Sequence, residues 1–201
     1  MTLKQSLKKF WNFLKEDSWQ SWIVSLILLI ILIRFVLFPT LSFITSSPLP
    51  LVVVESCSMY HQSSFDDWWI NSFEWYESHN ISNSQFKSFP FKNGLNKGDI
   101  IFVWGRSNYN LGDVVIFTPN TDSSALHPII HRLISESPLE TKGDHNSAQL
   151  TPNNNAQGID ETSIPKENIV GKAVLKVPLL GWIKLIFFEP FRPADQRGFC
   201  K

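Results

Sequence analysis

The chain has 201 residues, room for one ordinary domain with accessory segments. Its 18 lysines and arginines balance 18 aspartates and glutamates, so it lacks the basic excess a nucleic-acid partner would call for, and none is expected. Eight tryptophans and sixteen phenylalanines suit surfaces where an apolar body meets a wet edge, while Cys57 and Cys200 alone suggest no disulfide framework and leave the redox compartment open.

In residues 1–18, Leu3, Leu7, Phe10, Trp11 and Leu14 recur at intervals of three and four, with Lys4, Lys8, Lys9 and Lys15 among them. This spacing predicts a short amphipathic helix lying on the inner membrane surface, with a frayed, solvated tail as the alternative. Residues 19–44 follow as an apolar run in which only Ser25 is polar between positions 23 and 33. A span needs about 20 mostly apolar residues, so the run predicts a transmembrane anchor. Trp19 and Trp22 mark its near interface. Arg34 belongs at the far one, since a deeper guanidinium would cost about 2.5–3.5 kcal/mol. The bulky residues from Phe35 to Leu41 differ from the small residues that follow a cleavable signal, which favours a retained, single-pass anchor. Four lysines precede the span, and after Arg34 the next lysine or arginine is Lys87. The positive-inside rule then predicts a cell-membrane protein with a cytoplasmic N-terminus and an extracytoplasmic domain over 45–201.

Beyond the anchor the pattern changes. Residues 51–54, 99–104, 113–118, 129–134 and 169–177 are β-branched or aromatic runs bounded by Gly, Pro and Asn. They predict a mainly β domain, a partly closed barrel or a sandwich. Only 66–77 hints at helical periodicity. An aromatic insertion at about 61–96 contains DDWW, FEWY and FPF. It reads as a satellite cluster on the β domain, with a lid touching lipid as the alternative. Asn153, Asn154 and Asn155 mark a polar excursion, and 179–183 reads as a final strand.

Ser58 stands just after the first of these strands, within VVVESCSMYH. A serine hydroxyl attacks only when a base takes its proton. HPIIHRLI supplies His127 and His131, although a lone histidine in a strand is ordinarily structural. ETKGDHNSAQ places Asp144 in a Gly-Asp turn, where a carboxylate can accept from an imidazole N–H. Cys57 and His61, beside Ser58, are the rival nucleophile and the rival base.

Taken in order after the anchor, ESCSM, KGDIIFV, LGDVVIF, IIHRLI, TKGDHN and IVGKAVLKVPLLGWI resemble the type I signal peptidases. The resemblance covers about residues 23 to 186. Ser56-Cys57-Ser58-Met59 matches the Ser-x-Ser-Met nucleophile motif. His131-Arg132-Leu133-Ile134 and Thr141–Asp144 match the archaeal and endoplasmic-reticulum branch, whose base is a histidine. The resemblance implies a membrane-bound serine endopeptidase that cuts signal peptides from exported preproteins after small residues. Ser58 would be the nucleophile, His131 the base and Asp144 the acid that orients it. The Ser58 N–H and the Ser56 hydroxyl would form the oxyanion hole. The peptide would add beside the first strand, with Leu51, Val53 and Ile101 as shallow pockets.

No cofactor or metal is implied. The implied partners are preproteins, the lipid bilayer and a neighbouring translocon. The chain departs from the family at Cys57, where glycine is usual. It also departs at Gln149 and Leu150, where many relatives carry a second aspartate. The next acid, Asp160, is therefore the alternative orienting group. The other functional reading is a catalytically inactive relative that binds exported chains at the membrane.

Overall fold

The computed structural model describes residues 3–106 and 108–201. They fall into two compact units, one up to Ile44 and the other from Thr45 to Lys201. In the first unit, the spaced leucines and aromatics form α1 (Leu3–Leu14). Ser18 then caps α2 (Trp19–Leu32), its hydroxyl accepting from the Ser21 N–H. The helix continues through a π-helical turn, Ile33–Leu37, into α3 (Phe38–Thr45). Pro39 accounts for the turn. An α-helical ladder would ask Pro39 for an N–H it lacks, and its ring would press on the Phe35 carbonyl. The Phe38 N–H instead reaches back five residues to the Ile33 carbonyl. Trp19–Thr45 is long and apolar enough to cross a membrane.

The second unit is built on one antiparallel sheet of six strands: β1 (Leu51–Val53), β2 (Ile100–Trp104), β3 (Val114–Phe117), β4 (Ile129–Glu136), β5 (Leu139–Lys142) and β6 (Ile169–Val177). Their spatial order is β1-β2-β6-β3-β4-β5. All four residues of β3 are buried, as an unbroken Val-Val-Ile-Phe run requires. Val114 and Ile116 join Val54, Met59, Leu95, Ile101 and Val103 in one core cluster. Val115 and Phe117 join Leu133, Leu139 and Ile164 on the opposite face.

The two edges of the sheet differ. The β5 edge is covered, because the Thr141 N–H donates to the Glu161 carbonyl and the Ile164 N–H to the Leu139 carbonyl. On β1, the bonds of Pro50 and Val54 run to β2, with Val103 N–H donating to Pro50 and Val54 N–H to Asp99. By strand alternation the backbone groups of Leu51 and Val53 point the other way.

The insertion folds as α4 (Phe65–Ser78) and α5 (Asn83–Ser88), capped by the hydroxyls of Ser64 and Ser82. Trp68, Trp69, Tyr76, Phe86 and Phe89 bury themselves together with Ile134 of β4, forming a satellite core. The expected final strand at 179–183 is absent. Leu179 takes a left-handed φ of 58° that ends the extended run, and a short helix, α6 (Trp182–Leu185), follows.

The cysteines also depart from expectation. Cys57 and Cys200, 143 positions apart, are joined in a disulfide. It fastens the C-terminus to the turn after β1, where Arg192 and Lys184 also pair with Glu55 at 2.7 and 2.8 Å. Closing so long a loop restricts the unfolded chain strongly. Cys200→Ser is expected to lower the unfolding free energy by about 2–4 kcal/mol, measured by denaturant titration of the full chain in detergent. An unchanged midpoint would show that the bond contributes nothing to stability.

Candidate active site

The chain leaves β1 at Val53 and turns sharply through Ser56 to Met59. The Tyr60 N–H donates to the Cys57 carbonyl at 3.0 Å, and the buried Met59 anchors the turn in the core. Ser58 is thereby half-buried, with its hydroxyl 3.1 Å from that of Ser56. The Ser58 carbonyl accepts from the His145 N–H at 2.8 Å. Cys57 is committed to its disulfide, so its sulfur is not available as the rival nucleophile.

His131 lies on β4 opposite Val115 and is only 3% exposed. Its Nε2 faces Gly143. A methyl group added there would sit 2.8 Å from this nitrogen and 2.7 Å from the Ser58 carbonyl. Glycine therefore lets the imidazole and the serine turn approach each other. The other ring nitrogen, Nδ1, is hydrogen-bonded to the carboxylate of Glu161. Glu161 is itself fixed: Oε1 accepts from the Thr141 hydroxyl at 2.9 Å and Oε2 from the Leu150 N–H at 2.7 Å. The serine hydroxyl bonds to Ser56 in this structure, and rotation about its χ1 would redirect it. Such contacts often tighten only with substrate bound.

Two acids expected beside the histidine are engaged elsewhere. Asp144 is completely buried on the other side of the strand pair. Arg132 donates to it from Nε at 2.9 Å and Nη2 at 2.7 Å, Tyr76 from its hydroxyl at 3.1 Å, and His61 Nε2 lies 3.0 Å away. The physical reason is alternation. His131 and Arg132 point to opposite faces of β4, and Arg132 pairs in register with Lys142 of β5. Two residues on, Asp144 lies on the Arg132 side, away from the imidazole. Burial alone would raise the Asp144 carboxyl. The Arg132 charge, with the His61 and Arg132 hydrogen bonds, more than reverses that and holds it well below the usual carboxylate range. Asp160 instead accepts from the Thr162 N–H and hydroxyl at 3.0 and 2.7 Å, closing its own turn.

His61, the rival base, is buried and stacks on Trp68 with ring centroids 3.7 Å apart. His127 is exposed. Of the expected pocket residues, Ile101 is wholly buried in the core, on the same face as its register partner Val52. Leu51 and Val53 are half-buried on the opposite face, so the three do not form one surface. Next to the site, Lys142 is lowered to about 8, chiefly by burial, against the raising effect of Asp144 and Glu161. Its ammonium bonds the Gly143 carbonyl and sits 4.8 and 4.9 Å above the rings of Trp75 and Tyr76.

Glu161 is not among the acids that the motifs single out. The available signal is its position directly after Asp160. An extended segment aims neighbouring side chains in opposite directions, so either acid could face the histidine.

No family model matches the chain. Curated proteins do. The chain is 27% identical over 170 residues to the signal peptidase complex catalytic subunit SEC11 of Verticillium alfalfae, and 28% identical to that of Chaetomium globosum. Each alignment covers 80% of this chain and 77% of the relative. SEC11 of Candida tropicalis is 26% identical, over 77% of this chain and 75% of its own length. These alignments extend over most of the chain, and the Ser-x-Ser-Met, His-Arg-Leu-Ile and Lys-Gly-Asp motifs stand in family order on one β domain behind an apolar helix. Over most of its length the chain is therefore similar to catalytic subunits of the signal peptidase complex, and it carries the histidine-containing motif set of that resemblance.

Proposed function

We propose that the protein is a membrane-bound serine endopeptidase that removes signal peptides from exported preproteins after small residues. Ser58 Oγ attacks the scissile carbonyl while His131 Nε2 takes its proton. The Ser58 N–H and the Ser56 hydroxyl receive the negative charge on the tetrahedral oxygen. The imidazolium then protonates the departing amine, leaving an acyl-enzyme. Water, deprotonated by the same Nε2, hydrolyses the ester and restores the serine. Glu161 replaces Asp144 and Asp160 as the acid that fixes the tautomer and stabilises the imidazolium. The observation that carries this reading is the orientation of the His131 ring: Nδ1 is held by Glu161, and Nε2 is turned toward Gly143 and the serine turn.

The substrate pairs with the outward backbone groups of Leu51 and Val53 as an added strand, which would place its signal side along β1. Trp19–Thr45 anchors the enzyme in the cell membrane, with the N-terminus cytoplasmic and the catalytic domain outside. Substrate and enzyme then share one bilayer, close to the translocon, and their effective concentration rises. The test is direct. The purified chain in lipid is mixed with a preprotein bearing alanine at the first and third positions before the junction. Mass spectrometry should find one cut after the alanine. Binding without any cut would favour the inactive-relative reading.

A further inference from the structure

A cavity of about 720 Å³ opens immediately beside the serine turn, between α4 and residues 142–147. Its volume is within the usual range for ligand sites. Gln62 and Ser63, which come just after the serine turn, line one side, and Asn71, Glu74 and Trp75 of α4 line another. The third wall, Lys142 to Ser147, touches the catalytic region directly: His145 bonds the Ser58 carbonyl, and Gly143 lies against both that carbonyl and His131 Nε2.

We infer that this cavity holds the first residues of the mature chain, those on the C-terminal side of the scissile bond. The inference rests on the peptidase reading above and adds a substrate subsite to it. Its geometry comes from chain direction. A peptide that runs parallel to β1 lays its signal side along Leu51 and Val53, and its mature side then continues past Ser58. The chain's own path past Ser58 leads to Gln62 and Ser63 on the cavity wall. The lining sets the preference. Carboxamides and hydroxyls accept an extended, polar backbone, as the beginning of a secreted chain provides. Trp75 offers one flat apolar face. Lys142 is turned onto the rings of Trp75 and Tyr76, and Asp144, which also lines the cavity, is buried and paired with Arg132, leaving the exposed Glu74 as the charge at the rim. A basic side chain among the early mature residues is therefore favoured over an acidic one.

The test uses the detergent-solubilised full chain and two peptides with the same signal side. The short peptide ends one residue after the cut, and the long one continues for several. Asn71→Trp, which fills the cavity, should lower the long-to-short ratio of kcat/KM about tenfold. Glu74→Lys, an exposed change that does not disturb packing, should shift preference from lysine-bearing toward glutamate-bearing long peptides by about threefold to tenfold. Should Asn71→Trp lose the short peptide as well, Glu74→Lys alone decides. Ratios and charge preference unchanged from wild type would overturn the subsite while leaving the peptidase intact. A wild type that cuts neither peptide would overturn the peptidase reading and the subsite with it.

Discussion

Glu161→Gln is expected to lower kcat on a preprotein by about 10⁴-fold, and Ser58→Ala by about 10⁶-fold. The glutamine keeps the shape of the side chain, but its single carboxamide oxygen can accept from only one side; turned to the Leu150 N–H, it leaves its NH2 facing His131 Nδ1 and the Thr141 hydroxyl. It removes the negative charge that stabilises a His131 imidazolium and lets the ring settle in the unproductive tautomer. Ser58→Ala removes the attacking atom altogether. Asp160→Asn serves as the comparison, since that carboxylate caps only its own turn at Thr162, and its kcat should stay near wild type. Single-turnover cleavage, with melting curves to confirm folding, measures all three. Near-normal turnover by Glu161→Gln, alongside loss in Asp160→Asn or in a folded Asp144→Asn, would return the orienting role to an aspartate.

The second large effect is on stability. Asp144→Asn is expected to cost about 3–5 kcal/mol of unfolding free energy, because it strands the fully buried guanidinium of Arg132 without a counter-charge. Arg132 also holds the Pro90, Phe91 and Gly112 carbonyls, so its displacement would loosen the join between the aromatic insertion and the sheet. The pH dependence has a definite sign. Asp144 is depressed in the folded state, so its contribution is complete above the ordinary carboxylate value near 4 and is lost as pH falls further toward the folded value. The stability gap between wild type and Asp144→Asn should stay level from pH 7 to about 4.5 and narrow below that. A gap that closed between pH 7 and 5 would mean that Asp144 is not depressed.

These assignments separate what the sequence could disclose from what it could not. Alternating and β-branched runs announced the sheet, and Ser58 and His131 stood in short local motifs. Apolar composition alone marked the long helix. The acid was harder to find because the chain makes a detour before reaching it. The Leu150 N–H bonds Glu161 Oε2 and the Glu161 N–H bonds the Leu150 carbonyl, so residues 151–160 leave the site and return to the same place. Gln149 and Leu150 stand in the neighbourhood where the resemblance implies a second aspartate. Here the carboxylate arrives after the detour, at a position no spacing rule would select. The disulfide was hidden for a related reason: a separation of 143 residues gives no local pattern, and only the folded sheet brings the two sulfurs together. In the insertion, the rings signalled a cluster, whereas the serine caps that start its two helices are common in any loop.

The detour has a practical side. With its two ends fastened to each other, and Asn154 and Asn155 bonded back to Gln149 and Ile159, the stretch can lengthen at the exposed Asn153 without shifting the carboxylate, and doubling its length would cost only about 0.6 kcal/mol of closure entropy. An epitope or fluorophore-acceptor peptide grafted there would report on the enzyme in a living membrane while its chemistry ran undisturbed.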